Sequence, residues 1–428
     1  MITVIGCDGA PLRPEAAAAL AQAERVVGAP RHLDAVPLPP GAERVELKAL
    51  GDALDAICSG PGRVVVLASG DPGFFGIVRA IRARGAEPAV IPATSSVALA
   101  FARLGLDWDD ALVISAHGRD PRQALAAALA HPKAAILTSP GTARELGLAL
   151  RAEGRTVYVA ERLGTAAERV GELTDRDPAE PNVLVAVDGA AAAGPGLYDT
   201  AAAGPGLYDT EAAGPGLYDT AAAGPGLYRT APDAPRWLAG HAGAPPGWAL
   251  PEDAYEHRDS MITKAEVRAL VLARLGPAPG RVIWDIGAGS GSVAVECARF
   301  GAWAVAVEQD PEQCARIRRN AAAHRVRPRI VEGTAPGALA GLPRPDAIFA
   351  GGGDNDVLAA ALRAGAPERV VLTLAAVDRV GDVGVLLTGL GYPPEGVQLQ
   401  ASRLAALPNG THRLAAQNPV FVMWGERR

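Results

Sequence analysis

The chain has 428 residues, 49% of them hydrophobic and 21% charged, with a formal net charge of −6. This profile fits a globular protein of two or three domains of about 100–200 residues each, and its acidic balance argues against a nucleic-acid partner, whose phosphates select a basic surplus. No window holds the roughly 18 uncharged apolar residues of a membrane helix, and Cys7, Cys58, Cys297 and Cys314 lack the spacing of a disulfide framework or a metal site.

MITVIGCDG opens the chain with no basic segment ahead of its apolar run. It reads as a first β-strand and not a secretory signal, so the cytoplasm is the expected compartment. From there to about Asp188, β-rich runs (ITVIG, RVVVLAS, AVIPA, ALVIS, AAILTS, TVYVA, NVLVAV) alternate with Ala-rich stretches (PEAAAALAQAERV, GFFGIVRAIRARG, SVALAFARLG, PRQALAAALAH, ARELGLALRAEG). The apolar residues of the second set recur at helical spacing. Such alternation predicts parallel sheets covered by helices, and the acidic corner LGLDWDDA (104–111) is a joint between two lobes. Ser69 to Gly76, SGDPGFFG, follows a strand as a tight glycine-proline loop at the edge where open α/β sheets take ligands. Thr94-Ser95-Ser96 follows another strand and supplies hydroxyls and a helix cap.

Residues 191–230 are four near-identical copies of AAAGPGLYDT. Gly-Pro-Gly interrupts a helix on every pass, and ten residues are short for a solenoid unit. The stretch reads as a low-complexity linker, and the Pro/Trp-rich segment 231–254 continues it.

A second α/β domain then begins. In ITKAEVRALVLARLG, Thr263 and Glu266 have capping-box spacing, and Gly276-Pro277 closes the helix. RVIWDIGAGSGSVAVECARFG reads as strand, glycine loop and helix, followed by the strands AVAVEQD, RPRIVEGTA, PDAIFAGGG, ERVVLTLA and PVFVMWG. Loops such as Gly287-Ala288-Gly289-Ser290-Gly291 serve dinucleotides or S-adenosylmethionine. Asp285 favours the second, because a carboxylate there would repel a pyrophosphate and attract a cationic amino group or sulfonium; it is also placed to accept loop amides. Glu308, at the next strand end, is placed to accept ribose hydroxyls from either cofactor. A dinucleotide-dependent oxidoreductase is the alternative on this loop.

Residues 1–188 resemble the tetrapyrrole methylase family in VIGCDG, VVGAPRHL (26–33), LASGDPGFFGI (67–77), IPATSSVALAFARLGL (91–106), SAHGR (115–119) and AERLGTAAERV (160–170). From about Tyr255 onward the chain resembles the partner methyltransferase family of corrin synthesis, in ITKAEVRAL (262–270), WDIGAGSGSVAVE (284–296), VEGTAPGAL (331–339) and PDAIFAGGG (345–353). The resemblance implies a two-lobed tetrapyrrole methylase fold over 1–190 and, past the linkers, a Rossmann-like class I methyltransferase fold over 255–428. It implies S-adenosylmethionine as cofactor, methylation of a precorrin tetrapyrrole at C5 by the first domain, and C15 methylation with loss of the C12 acetate carboxyl by the second. Methylation of another tetrapyrrole is the nearest alternative.

Carried over residue by residue, Gly70, Asp71, Pro72, Gly73, Phe74, Thr94 and Ser95 match cofactor-facing positions of the first family. Thr263, Asp285, Gly287 to Gly291, Glu308, Gly333 and Ala335 form the second set. The chain departs from the family patterns at Cys7-Asp8-Gly9, where Gly-Pro-Gly is usual, and at Thr334, where relatives often carry a carboxylate. A substrate rich in acetates and propionates calls for cationic partners, and Arg31, His32, His117, Arg119 and Lys264 are the candidates. No catalytic residue and no metal is implied, since the donor is already activated and the conjugated ring is its own electron sink. Self-association through the C-terminal domain is a further expectation from its relatives.

Overall fold

The computed structural model describes residues 1–47, 50–59, 62–188, 238–240, 245, 247–258 and 262–427. The decapeptide repeat at 191–230, read above as a linker, lies outside the described residues, as does most of 231–246. Packing divides the chain into two units: Met1–Ser115 with Leu137–Gly147 and Thr156–Ala239, and Ala116–Ile136 with Leu148–Arg155 and Gly240–Arg428.

Runs such as VVVLAS are apolar at successive positions, so they need cover on both faces. They receive it in a five-stranded sheet, ordered Glu43–Glu46, Arg25–Gly28, Val64–Ser69, Ile2–Cys7, Ala89–Ile91 and parallel throughout. One face packs Val4, Val27, Val64 and Val66 against Ile57, Val78 and Ile81 of helices Leu50–Cys58 and Ile77–Ala83. The other packs Ile5, Val26, Val65 and Leu67 against Ala16, Leu20 and Leu33 of helices Pro14–Ala21 and Pro30–Leu33. PEAAAALAQAERV reads as one helix, but the helix ends at Ala21 and Arg25–Gly28 is a strand. The β-branched pair Val26-Val27 is fully buried in the sheet, and that burial outweighs the helical spacing.

The second sheet has six strands, in the order Leu238–Ala239, Leu112–Ser115, Lys133–Leu137, Asn182–Asp188, Arg155–Glu161, Arg169–Glu172. The expectation of purely parallel sheets fails here. Leu238–Ala239 and Arg169–Glu172 run antiparallel to their neighbours. Arg169–Glu172 follows Arg155–Glu161 by a hairpin connection, which needs no crossover helix and leaves no helical period to read, and Leu238–Ala239 pairs with Leu112–Ser115 from far along the chain. Leu238–Ala239 comes from the segment assigned to the Pro-rich linker.

The third sheet runs Arg329–Glu332, Trp303–Glu308, Val282–Ile286, Ala347–Ala350, Arg369–Leu374, Val420–Glu426, Pro394–Leu399. The first five strands are parallel and the last two pairings antiparallel. Its order reverses at Val282–Ile286, the switch point where doubly wound sheets take ligands. Val267, Val271 and Leu275 of helix Ala265–Leu275 pack with Ile283, Phe349 and Val371 to form the core beneath that edge.

Helix Ala265–Leu275 ends as read, at Gly276 with φ 61° and its N–H bonded to Leu272 O. The Thr263–Glu266 capping box does not form. Lys264 occupies the cap position without a side-chain bond, Glu252 Oε1 accepts the Ala265 N–H at 3.0 Å, and Arg403 takes both oxygens of Glu266 at 2.8 and 2.7 Å. Two charge-assisted bonds to a guanidinium outcompete one bond to a cap amide.

Candidate active sites

In the first unit, the parallel register brings the ends of Ile2–Cys7, Val64–Ser69 and Ala89–Ile91 to one sheet edge. The loops that leave them are bonded to each other. Gly70 N–H donates to Cys7 O at 2.7 Å, and Ala93 N–H donates to Gly70 O at 3.3 Å. Asp8 closes the set: its carboxylate accepts from Ala10 N–H and Thr94 N–H, each at 3.1 Å. The departure from Gly-Pro-Gly therefore installs a brace between two loops. An Asp-Gly pair at a strand end is the signal that could have shown it. Gly9 has φ 90°, and a Cβ added there would sit 1.9 Å from Gly164 O, so two loops touch backbone to backbone.

Within SGDPGFFG, Asp71 Oδ1 accepts the Gly73 N–H at 2.8 Å, and Pro72 is buried. Phe75 holds φ 54°, an outlier for a bulky residue, and its ring lies 4.7 Å from that of Phe74. Gly70 is fitted to its neighbour, since a Cβ there would lie 3.0 Å from Ser95 Cα. The Ser95 hydroxyl caps helix Ser96–Leu104 by accepting the Ala98 N–H. The Gly70–Phe74 and Thr94–Ser95 stretches are thus brought together.

Beside them, Arg31 Nη2 and His32 Nε2 each lie 2.9 Å from Ser69 Oγ. Burial, and then the Arg31 charge, lower His32 to about 4, which leaves the ring neutral near pH 7. Burial, with a contribution from Asp8, raises the Cys7 thiol to about 11. His117 and Arg119 lie in the turn between Leu112–Ser115 and helix Pro121–Leu129; His117 is exposed, and Arg119 N–H donates to Ala116 O.

In the second unit, Gly287, Gly289 and Gly291 all take left-handed φ, at 69°, 55° and 74°. Their surroundings differ. A Cβ at Gly291 would come within 2.8 Å of Ile317, so this glycine lets the loop pack on helix Pro311–Ala323. A Cβ at Gly287 or Gly289 would enter open space, so these two present bare backbone on an open side. Glu308 reaches the same loop: Oε2 accepts the Gly289 N–H at 2.8 Å, and Oε1 accepts from Gln309 and Asp310. Gly333 N–H donates to Glu308 O, so the EGTA turn joins the group.

Asp285 is only 1% exposed and accepts the Ala294 N–H at 3.0 Å, in the first turn of helix Ser292–Arg299. Its hydrogen bond goes to a helix amide and not to a loop amide, and burial lifts it to about 7. Thr263 presents its carbonyl to Arg268. No hydrogen bond among the described residues joins Lys264 to the glycine loop.

Sequence reasoning missed the groups that hold this loop from behind. Asn320 Nδ2 donates to both Ser290 O and Glu256 O at 2.9 Å. Glu296, fully buried, accepts from Tyr255 OH, Leu250 N–H and Arg299, with Arg268 Nε at 3.6 Å. These bonds fasten residues 250–256 onto the domain, although 231–254 reads as linker. Their partners lie far apart in the chain, and no local pattern marks them.

Residues 7–177 match the tetrapyrrole (corrin/porphyrin) methylases, and residues 253–385 match a precorrin methyltransferase domain. Two α/β folds with loop sites at their strand edges, matched by these families, define a two-part methyltransferase. The chain is 38% identical over 385 residues to a precorrin-6Y C(5,15)-methyltransferase (decarboxylating) of Sinorhizobium sp, covering 85% of this chain and 81% of that one. It belongs to the precorrin-6Y C(5,15)-methyltransferase (decarboxylating) family. Smaller relatives match parts of it. A cobalt-precorrin-7 C(5)-methyltransferase of Salmonella typhimurium is 35% identical over 40% of this chain and 89% of its own. A probable cobalt-precorrin-6B C(15)-methyltransferase (decarboxylating) of Pyrobaculum calidifontis is 38% identical over 33% of this chain and 80% of its own.

Proposed function

We propose that this chain methylates a precorrin tetrapyrrole at C5 and C15 and removes the C12 acetate carboxyl as carbon dioxide, a step of cobalamin biosynthesis expected in the cytoplasm. The observation that carries the reading is the similarity along 85% of the chain to a relative named for that pair of methylations. The separate C(5) and C(15) relatives support two active sites in one chain, with C5 assigned to the first domain, 1–190, and C15 with decarboxylation to the second, 255–428.

S-adenosylmethionine supplies an activated methyl group when bound. The residues present fit it: Gly287 and Gly289 offer an open backbone cradle, and Glu308 is pre-oriented beside them as a ribose acceptor. Thr263, Asp285, Ala288, Ser290, Gly291, Gly333 and Ala335 complete that site in this reading. In the first domain Gly70, Asp71, Pro72, Gly73, Phe74, Thr94 and Ser95 line the cofactor cleft. The chain's task is alignment of the acceptor carbon with the methyl donor and exclusion of water. Arg31, His117, Arg119 and Lys264 are assigned to substrate carboxylates.

Mass spectrometry of the reduced tetrapyrrole precursor incubated with the chain and S-adenosylmethionine tests this. The product gains two methyl groups and loses one carbon dioxide; an unchanged precursor refutes the assignment. An oxidoreductase would shift the mass by hydrogen instead.

A further inference from the structure

We propose that Arg31, His32 and Ser69 form a carboxylate-binding subsite of the first active site, in which Ser69 is a positioning residue that holds its two neighbours as donors toward an acetate or propionate arm of the substrate. The proposal rests on the reading of the preceding subsection.

The placement follows from the sheet. Arg25–Gly28 and Val64–Ser69 are adjacent parallel strands, with Gly28 opposite Leu67. Arg31 and His32 follow the first strand in the short helix Pro30–Leu33, which is anchored by buried Leu33, and Ser69 ends the second strand. The three side chains therefore meet at the edge that also carries the Gly70–Phe74 loop. Both Arg31 Nη2 and His32 Nε2 lie 2.9 Å from Ser69 Oγ.

Hydrogen counting then orients the group. A guanidinium can only donate, and a hydroxyl has one hydrogen. Arg31 donates to Oγ. A carboxylate ligand selects the arrangement in which the Ser69 hydrogen goes to His32 Nε2 and the imidazole proton sits on Nδ1, over the one in which Nε2–H donates to the second lone pair of Oγ. The ring is neutral, held so by burial and by Arg31. What the cluster offers a ligand is one positive charge, the remaining guanidinium N–H groups and the Nδ1–H. Its acceptors, Oγ and Nε2, are engaged within the cluster.

No salt bridge among the described residues answers that charge. Asp8, on the adjoining loop, accepts from Ala10 and Thr94 and makes no ion pair with Arg31. A donor-only, cationic cluster at a ligand-binding sheet edge selects an anion, and a planar guanidinium suits a carboxylate. The substrate class named above carries such arms.

The test uses the full chain, with methyl gain at C5 and C15 followed separately. Arg31→Met raises the KM for the tetrapyrrole in the C5 step about 10- to 100-fold, the loss expected for a charge-assisted hydrogen bond, with kcat for that step little changed. Ser69→Ala raises the same KM in the same direction, and Ser69→Thr, which restores the hydroxyl, returns it toward that of the unaltered chain. S-adenosylmethionine affinity and the C15 step are unmoved in all three. An unchanged KM in both Arg31→Met and Ser69→Ala overturns the proposal, and so does a fall in kcat alone. Should Ser69→Ala fail to fold, the exposed Arg31 side chain carries the test. A wild-type chain that adds no methyl at C5 overturns the underlying assignment, a result distinct from failure of the subsite alone.

Discussion

Gly289 and Glu308, 19 residues apart, are joined by a 2.8 Å hydrogen bond from the glycine N–H to the carboxylate Oε2. The bond ties the end of strand Trp303–Glu308 to the loop that leaves Val282–Ile286, and the second oxygen is fixed by Gln309 and Asp310. Glu308 is thus held beside the loop in a preset orientation. Glu308→Gln places an amide NH₂ where two backbone donors or a ribose hydroxyl need an acceptor. Cofactor affinity at the second site should fall about tenfold or more, with C15 methylation and decarboxylation falling together and C5 methylation retained. Calorimetric titration with S-adenosylmethionine and product mass check this; equal loss at C5 would contradict it.

Gly287 and Gly291 separate two reasons for glycine in one loop. Gly291→Ala drives a methyl into Ile317 at 2.8 Å, and overpacking of this kind costs roughly 1–3 kcal/mol. Gly287→Ala meets no neighbour, so its stability cost is the left-handed strain alone, about 1–2 kcal/mol. Its methyl, however, enters the cradle. The expected split is that Gly291→Ala lowers the denaturation midpoint more, and Gly287→Ala weakens cofactor binding more. Ile317→Ala, which removes the Cγ1 and Cγ2 atoms that the new methyl meets, should cost less stability in the Gly291→Ala chain than in the wild-type chain, and no less in the Gly287→Ala chain.

The glycine loop and Glu308 were legible in the sequence because strand, turn and helix follow one another within a few residues. The braces were not, because each joins distant residues. Arg403 meets Glu252 across 151 positions and Glu266 across 137, and Asn320 meets Ser290 across 30. The capping-box reading failed for the same reason, since a partner remote in sequence claimed Glu266. Antiparallel edges such as Arg169–Glu172 escaped notice because an exposed hairpin strand is short and carries no long apolar run. Asp8 was visible as a departure from pattern, but only the fold brings Thr94 to it.

Asp285 should give the stability curve a slope near neutrality. Burial raises its folded-state pKa to about 7, well above its ordinary value of 3.8. The folded state then holds the proton more tightly than the unfolded chain, so the associated stability is complete below about pH 4 and is lost as pH rises through 7. Asp285→Asn, whose carbonyl can still accept from Ala294, should remove that dependence. Thermal midpoints at pH 5 and pH 8 should differ more in the wild-type chain than in the variant. Equal differences would show that Asp285 does not titrate in this range.

Glu252 has the opposite sign. Its bonds to Arg403 hold it down, to about 2, so its stabilisation is present above the ordinary carboxylate range and is lost as pH falls through 2. Arg403→Met should therefore move the acid unfolding midpoint to higher pH, while leaving the alkaline limb in place. Acid titration followed by circular dichroism measures the shift.

Removal of residues 191–230 should leave all three chemical changes intact. The family matches span 7–177 and 253–385. The residues assigned to the two sites, from Arg31 to Arg119 and from Thr263 to Ala335, fall inside those spans, as do Asp8, Gly164, Tyr255 and Asn320. No residue assigned to either site lies in the four decapeptides. The shortened chain should yield product with two added methyl groups and one carbon dioxide lost. Loss of both methylations with an unchanged thermal midpoint would give the repeat a direct part in the reaction. Accumulation of a singly methylated intermediate would point to a role in passing the macrocycle from one site to the other.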